Sequence, residues 1–201
     1  MSTPNKYESY LLRLINADRH TAGLTPLKFN GDLNTASERH SQWMLNADVF
    51  SHTGAGGSTH TARMQAGGYD LSGSWATGEN IALQSAGGAA GLWDEVRSSH
   101  RMLMNSPEHR ANLLSATYKD VGLGIELGQF TSGGQTFRSV VVTEDFGRTS
   151  AHAAQKATPD TFVFHGSKDH SASSHHNAPV ANTGDHQTLA VHDDAGWGLF
   201  V

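Results

Sequence analysis

The chain has 201 residues and a formal net charge of −5 with its histidines neutral, and it contains 13 His and no Cys. Without cysteine there is no disulfide, and no thiol can serve as nucleophile or metal ligand. No block of Lys and Arg stands out, which argues against a nucleic-acid partner. No apolar run approaches the ~20 residues that cross a bilayer, so we expect no transmembrane segment.

The composition divides the chain at Gly147. Residues 1–147 carry regular hydrophobic periodicity and have about the usual size of one domain. Residues 148–201 hold seven of the 13 His together with much Ser, Ala, Asn and Asp, and the periodicity disappears. This pattern predicts a largely irregular C-terminal extension.

Helical patterns dominate the first half. Thr3 is an expected N-cap with Pro4 at the first helical position, followed by an apolar stripe through Ile15 that ends near Gly23. A second helix is expected after Asn30. A short helix capped by Ser58 or Thr59, an extended segment at 75–84 and a long helix over about 89–104 follow in the chain.

Paired strands are predicted for the end of the domain. Ser106 and Pro107 restart a short helix as N-cap and first residue. Two strand-like runs follow, Val121–Leu127 and Phe137–Phe146, and the glycine-containing segment 128–134 joins them as a hairpin. Helices followed by paired strands are typical of an α+β fold with an antiparallel sheet.

Four segments in this order carry a resemblance to a known family. They are LINADRHTAGLTPL (14–27), FSHTG (50–54), GENIA (78–82) and LMNSPEHRANLL (103–114), and the closing VGLGIEL and VVTEDFG extend the match. Together they resemble the bacterial branch of the CAP superfamily, which comprises cysteine-rich secretory, antigen 5 and pathogenesis-related 1 (SCP or PR-1-like) domains. The resemblance implies an α-β-α sandwich with a central antiparallel sheet and a cleft.

The resemblance also implies which residues line that cleft. The family's cleft holds two His and two acidic residues, and the matching positions are His52, Glu79 and His109. The fourth position stays open. In the eukaryotic branch of the family it is a Glu on the helix before the second His, a position that bacterial members often lack. Glu95 is a candidate for it, His100 on the same helix could take its place, and Glu108 or water are further alternatives.

Two imidazoles beside a carboxylate suit a divalent cation of the zinc type, with an open position for water. His109 and His52 are the expected ligands, with Glu79 nearby. At the start of a helix the positive end of the dipole disfavours a second positive charge, which keeps His109 in its neutral, ligating form. In an enzyme the same three residues would be catalytic.

Structural roles are the alternative. His52 and His109 could be hydrogen-bonded loop anchors, and Glu79 could tie down a neighbouring loop. His40, on an apolar helical stripe, is expected to be a hydrogen-bonded core residue. Structural roles, in which polar heads satisfy backbone groups, are predicted for Asn16, Arg19, Asn80, Arg110 and Asn112.

The sequence contains no HExxH, G-x-S-x-G, Walker or GxGxxG motif, which favours a non-enzymatic module. Its cleft would bind a small ligand such as a lipid, a glycan or a divalent ion. The alternatives are a metal-assisted hydrolase that uses the same cleft, and an interaction protein that meets a cell-surface partner through the cleft loops.

Export is expected by a route without an N-terminal signal peptide, because MSTPNKYESYLL lacks the basic-then-apolar pattern of such a signal. The apolar end of the chain behind Asp193 and Asp194 resembles an uncleaved type I secretion signal. The alternatives are a cytoplasmic protein and a solvated tail with loose metal affinity from its histidines.

Overall fold

The computed structural model describes residues 2–87 and 91–151. The predicted secretion signal and most of the C-terminal extension therefore lie outside the described residues. The helices are α1 (Lys6–Thr21), α2 (Gly31–Ala47), α3 (His60–Gly67), α4 (Trp93–Asn105) and α5 (Pro107–Leu113), with a 3₁₀ turn at Ala55–Gly57. The strands are β1 (Lys28–Phe29), β2 (Trp75–Ser85), β3 (Asp120–Ser132) and β4 (Gln135–Thr149).

The four strands form one sheet in the order β1-β3-β4-β2. β3 and β2 pair antiparallel with β4, as expected, whereas β1 pairs parallel with β3 and makes the sheet mixed. β4 continues to Thr149, two residues beyond the expected end of the domain at Gly147. β2 lies at an edge of the sheet, and this position brings the helices on both faces close to it.

Helices cover both faces of the sheet, which confirms the α-β-α sandwich. On one face α1 and α4 bury Leu11, Ile15 and Val96 against alternate residues of β3 and β4. On the other face α2 and α3 bury Met44 and Met64 in two smaller clusters. Since side chains alternate along a strand, β4 supplies both cores from consecutive positions.

Two glycines of β3 let α2 lie directly on the sheet. A Cβ atom at Gly122 would overlap the backbone of Leu33, and one at Gly124 would overlap the backbone of Ser37. The close approach buries a polar layer, in which Ser37 Oγ contacts Asp145 Oδ2 at 2.9 Å. Polar side chains of helix α2 are therefore buried against strand β4, which carries the acidic residue Asp145.

Three predicted boundaries are wrong. Helix α1 begins at Lys6 and not at Pro4, because Asn5 and Glu8 form a reciprocal capping box. Helix α4 begins at Trp93 and not near 89. The hairpin turn is only Gly133-Gly134, both with positive φ, so residues 128–132 belong to β3.

Candidate functional site

Glu79 occupies the middle of β2 with its side chain only 1% exposed. Its Oε1 lies 2.8 Å from His52 Nδ1, and its Oε2 accepts a 2.6 Å hydrogen bond from Arg63 Nη2. A buried carboxylate needs such partners to remain charged. Both oxygens of Glu79 are thus committed to basic side chains of this chain.

Arg63 fixes the loop that carries His52. It projects from α3, which begins behind the N-cap Thr59. Besides Glu79, its guanidinium donates to the carbonyl oxygens of His52 at 3.0 Å and Ser58 at 2.8 Å. One side chain, 11% exposed, therefore joins the carboxylate to both ends of the 52–58 loop.

His52 contacts Glu79 through Nδ1, which leaves Nε2 as the ring nitrogen outside this contact. Its side chain is 37% exposed. A carboxylate accepts hydrogen bonds, so the contact with Glu79 places the proton on Nδ1 in the neutral ring. The lone pair of neutral His52 is then on Nε2, the nitrogen that can bind a ligand.

His40 backs the site from α2, as the core residue that was expected. It is 1% exposed, its Nε2 donates to Ser51 O at 3.0 Å, and the ring stacks on Trp43. Burial lowers the pKa of His40 to about 4, although Glu79 Oε2 lies 3.9 Å away. His40 is therefore neutral at pH 7 and holds the residue before His52 in place.

His60 and Thr77 belong to the same surroundings. His60 Nε2 lies 3.3 Å from Thr77 Oγ1, two residues before Glu79 on the same face of β2. Burial lowers the pKa of His60, the Glu79 carboxylate opposes this effect, and the charges on Arg63 and His52 add to it. Three imidazoles thus surround one carboxylate.

Asp145 lies opposite Glu79 on β4. Burial, and next the Glu79 carboxylate, raise the pKa of Asp145 well above its ordinary value. Burial alone would raise the pKa of Glu79 too, but the hydrogen bond from His52 and the charge of Arg63 outweigh burial, so its pKa is lowered. The two acids are driven apart in acidity, which leaves the negative charge on Glu79.

His109 approaches β2 from α5. Its Nδ1 lies 2.8 Å from Ser106 Oγ, and Ser106 Oγ donates to Glu108 Oε2 at 3.1 Å. The carbonyl of His109 accepts from Asn80 Nδ2 at 3.1 Å. Asn112 in turn donates to Asn80 Oδ1, so the residue after Glu79 anchors the start of α5.

His52 and His109 are held by consecutive residues of one edge strand, His52 through its imidazole and His109 through its backbone carbonyl. The side chains of Glu79 and Asn80 point to opposite faces of the sheet because they are neighbours in β2. The structure therefore joins His52 directly to Glu79, and it brings the backbone of His109 to Asn80 from the other face. Within residues 2–87 and 91–151 no group of three or more His, Asp or Glu is placed to hold a metal ion.

The three candidates for the fourth position have partners of their own. Glu95 accepts from the amide of Gly87 at 2.7 Å, and its carbonyl accepts from Gln84. His100 Nε2 lies 2.7 Å from Asp18 Oδ2 and ties α4 to α1. Glu108 accepts the hydroxyl of Ser106, as described above.

Several of the residues predicted to be structural satisfy backbone groups. Buried Arg19 donates to the carbonyls of Thr25, Leu113 and Ser115, and Asn16 bonds both backbone groups of Leu27. Asn80 and Asn112 have the partners given above, whereas Arg110 is exposed beside a surface cavity of about 490 Å³ that α4 and α5 border.

Sequence reasoning missed Arg63, His60 and Asp145. Arg63 lies 16 residues before its partner Glu79, and their contact depends on the direction in which α3 runs. Asp145 did leave a signal, because two acidic residues in the otherwise apolar run ending at Phe146 must be buried and need partners. A buried acid in a strand is itself an indication of a nearby proton or cation.

Comparison with known proteins identifies the family of this chain. The profile of CAP, described as the cysteine-rich secretory protein family, matches residues 12–146. Protein YkwD of Bacillus subtilis, described as uncharacterized, is 28% identical over 123 residues, which is 61% of this chain and 44% of YkwD. The chain thus spans less than half the length of this curated relative.

Two solved structures share the fold. One is an extracellular protein containing an SCP domain from Bacillus anthracis, with a TM-score of 0.55 and 21% identity, covering 74% of this chain and 45% of that one. The other is an outer surface protein of Borrelia burgdorferi, with a TM-score of 0.51 and 17% identity, covering 74% of this chain and 96% of that one. In the described residues no helix combines the length and the apolar character that crossing a membrane requires. The chain belongs to the CAP family.

Proposed function

We propose that this chain acts outside the cell as a non-enzymatic CAP module that binds a divalent cation at Nε2 of His52. The extracellular and outer-surface descriptions of two proteins with the same fold support the location. The cation is the ligand that suits an imidazole held by a buried carboxylate. His109, whose backbone carbonyl is bonded to Asn80 beside Glu79 on the same edge strand, is the proposed second ligand.

The observation that carries the proposal is the contact between His52 Nδ1 and Glu79 Oε1 at 2.8 Å. Metal-binding histidines commonly donate their other ring N–H to a carboxylate, which fixes the tautomer, orients the ring and raises its basicity. Glu79 itself is buried and further held by Arg63. His52 therefore has the supporting partner of a metal ligand, whereas Glu79 does not act as a ligand.

The residues fit an open site and not a closed one. Both Glu79 oxygens are engaged, and the part of the chain that the structure describes has no cluster of three or more candidate ligands. One or two imidazoles with water in the remaining positions give a weak, exchangeable site. A cation there would supply positive charge to polarise or hold an oxygen of a further small ligand.

The contacts of the acidic residues favour binding over hydrolysis. A general base must accept a proton from water, yet Glu79 already accepts from His52 and from Arg63. A serine nucleophile next to His109 would have to donate its proton to the imidazole, but Ser106 donates to Glu108. Glu79 as a general base and Ser106 as a nucleophile are thus both engaged with other groups in this arrangement.

The test is a titration of the full chain with Zn²⁺ and Ni²⁺, followed by NMR spectra of the imidazole nitrogens. Wild-type protein should show a site whose first response is at Nε2 of His52, and His52→Ala should remove it. Residue-resolved signals are required, because seven histidines lie after Gly147 and add background binding. His20 on α1 is exposed, so His20→Ala is the matched control and should leave the titration unchanged.

A His52→Ala titration that equals wild type would refute the cation site. His109→Ala should weaken the first site, and an unchanged affinity would mean that His52 binds alone. The same proteins are then assayed on peptide, ester and glycan substrates. Turnover that depends on His52 and the added metal would replace the binding role by the hydrolase alternative.

A further inference from the structure

Asp145 and Glu79 face each other across paired strands. They are directly opposite in the antiparallel β2–β4 register, and both are buried, Asp145 completely. Opposed residues of such strands have their Cβ atoms about 4.5–5.5 Å apart, where two like charges destabilise the pair. Two carboxylates in this position cannot both be ionised without a large loss of stability.

The contacts show how the pair avoids this conflict. Oδ2 of Asp145 accepts from Ser37, whereas its Oδ1 is buried and has no hydrogen-bond partner among the described residues. The Glu79 carboxylate faces Asp145 in the strand register, so a proton on Oδ1 would have Glu79 as its acceptor. A hydrogen bond between two carboxyl groups requires a proton on one of them.

The surroundings decide which group carries the proton. Glu79 faces two N–H donors, on His52 and on the Arg63 guanidinium, and both stabilise an anion. Among the described residues Asp145 accepts a hydrogen bond from the Ser37 hydroxyl alone, and that hydroxyl is shared with the carbonyl of Leu33. The weaker set of donors belongs to Asp145, so the proton resides there.

We infer that Asp145 is a positioning residue, a buried carboxylic acid that donates its proton in a hydrogen bond to Glu79 and holds that carboxylate beneath His52. The inference deepens the proposed function, since it concerns the same His52. It is nevertheless a statement about the ligand-free protein, so it can fail or hold independently of metal binding.

The charges around the pair agree with this assignment. The titratable or charged groups that face it are His40 from α2, His52 from its loop, and His60 and Arg63 from α3. Burial and then Glu79 raise the pKa of Asp145, and Arg63 opposes them only in part. A neutral Asp145 therefore persists at pH 7 while Glu79 stays charged.

The test compares Asp145→Asn with Asp145→Val in the full chain without metal. Asn keeps a neutral donor toward Glu79, so the Nδ1–H proton resonance of His52 should stay as in wild type. Val removes the donor, and the Nδ1–H resonance should broaden or vanish as Glu79 loses its fixed position. Rescue by Asn distinguishes a hydrogen-bonding role from simple filling of the core.

Two results would overturn the inference. If Asp145 is ionised, wild-type protein lacks the donor toward Glu79 that Asp145→Asn supplies, and the Nδ1–H resonance of His52 changes in that variant. If Asp145 does not hold Glu79, Asp145→Val leaves the Nδ1–H resonance unchanged. Should either variant fail to fold, the carboxyl carbons of isotope-labelled Asp in wild-type protein decide the question, because one Asp must remain protonated at pH 7 and a fully ionised set refutes it.

Discussion

Replacing Arg63 by Met should destabilise the fold by about 3–5 kcal/mol, because it leaves Glu79 as an unpaired buried charge. The carboxylate is 1% exposed and the guanidinium 11% exposed, so water can compensate little. Met retains most of the aliphatic volume of Arg63. The loss is therefore assigned to the polar head and not to packing.

The hydrogen bonds of Arg63 give the same magnitude. The charge-assisted bond to Glu79 contributes about 1.5–3 kcal/mol, and the bonds to the carbonyls of His52 and Ser58 contribute about 1 kcal/mol each. Together they reach about 3.5–5 kcal/mol, which agrees with the cost of breaking a buried ion pair.

Urea unfolding at pH 7, followed by circular dichroism, measures this loss. Arg97→Met is the matched control, since Arg97 is 50% exposed and pairs with exposed Asp94, so its loss should be much smaller than that of Arg63→Met. Adding Glu79→Gln to the Arg63→Met variant should recover part of the loss, because the unpaired charge is then gone. An Arg63→Met loss no larger than that of the control would refute the buried-pair reasoning.

Three further predictions concern the surrounding core. The pKa of His40 is about 4 in the folded protein against 6.5 in the unfolded chain, so about 3 kcal/mol of stability present above pH 6.5 is lost as the pH falls to 4. His40→Gln should remove this part of the acid dependence, which is measured by unfolding at pH 7 and at pH 4. Burial raises the pKa of Glu144 to about 7, so between pH 4.5 and pH 7 Glu144 ionises in the unfolded chain but not in the folded protein, and the stability falls over this range. Glu144→Gln should therefore add about 3 kcal/mol of stability at pH 8 and little at pH 4. An equal gain at both pH values would contradict this reasoning. Gly124→Ala should cost about 3 kcal/mol of stability or more, because the added Cβ atom would meet the backbone of Ser37. Gly128→Ala on the same strand is the control: its Cβ atom would meet only the flexible side chain of Leu45, so the thermal midpoint should fall much less.

The predictability of the fold follows the length of each pattern. Helix α2 was predicted to start after Asn30 because it has many periodic residues, and Asn30 is its N-cap in the structure. Strand β1 was missed because two residues, Lys28 and Phe29, cannot show alternation. The start of α1 was misplaced because Thr3 and Asn5 are both good caps, and only the reciprocal bond from Asn5 to Glu8 selects the second.

The sequence predicted individual residues of the site but not the contacts between them. The motifs identified His52 and Glu79, and the structure joins them. The sequence could not show that Asn80, next to Glu79, bonds the backbone carbonyl of His109, because this contact depends on the edge position of β2. Nor could it show the contact of Arg63, which requires three separate elements to meet.

The glycine-rich 52–58 loop looks slack from its composition, yet Arg63 bonds the carbonyls at both of its ends, and Gly54 N bonds Ser58 O at 2.9 Å. The amides of this loop should therefore exchange with solvent only when the ion pair with Glu79 opens, as one cooperative unit. A ligand arriving at His52 would meet a rim that is already ordered. Little conformational entropy would then be lost on association, and recognition there would select ligands by shape more than by adaptation.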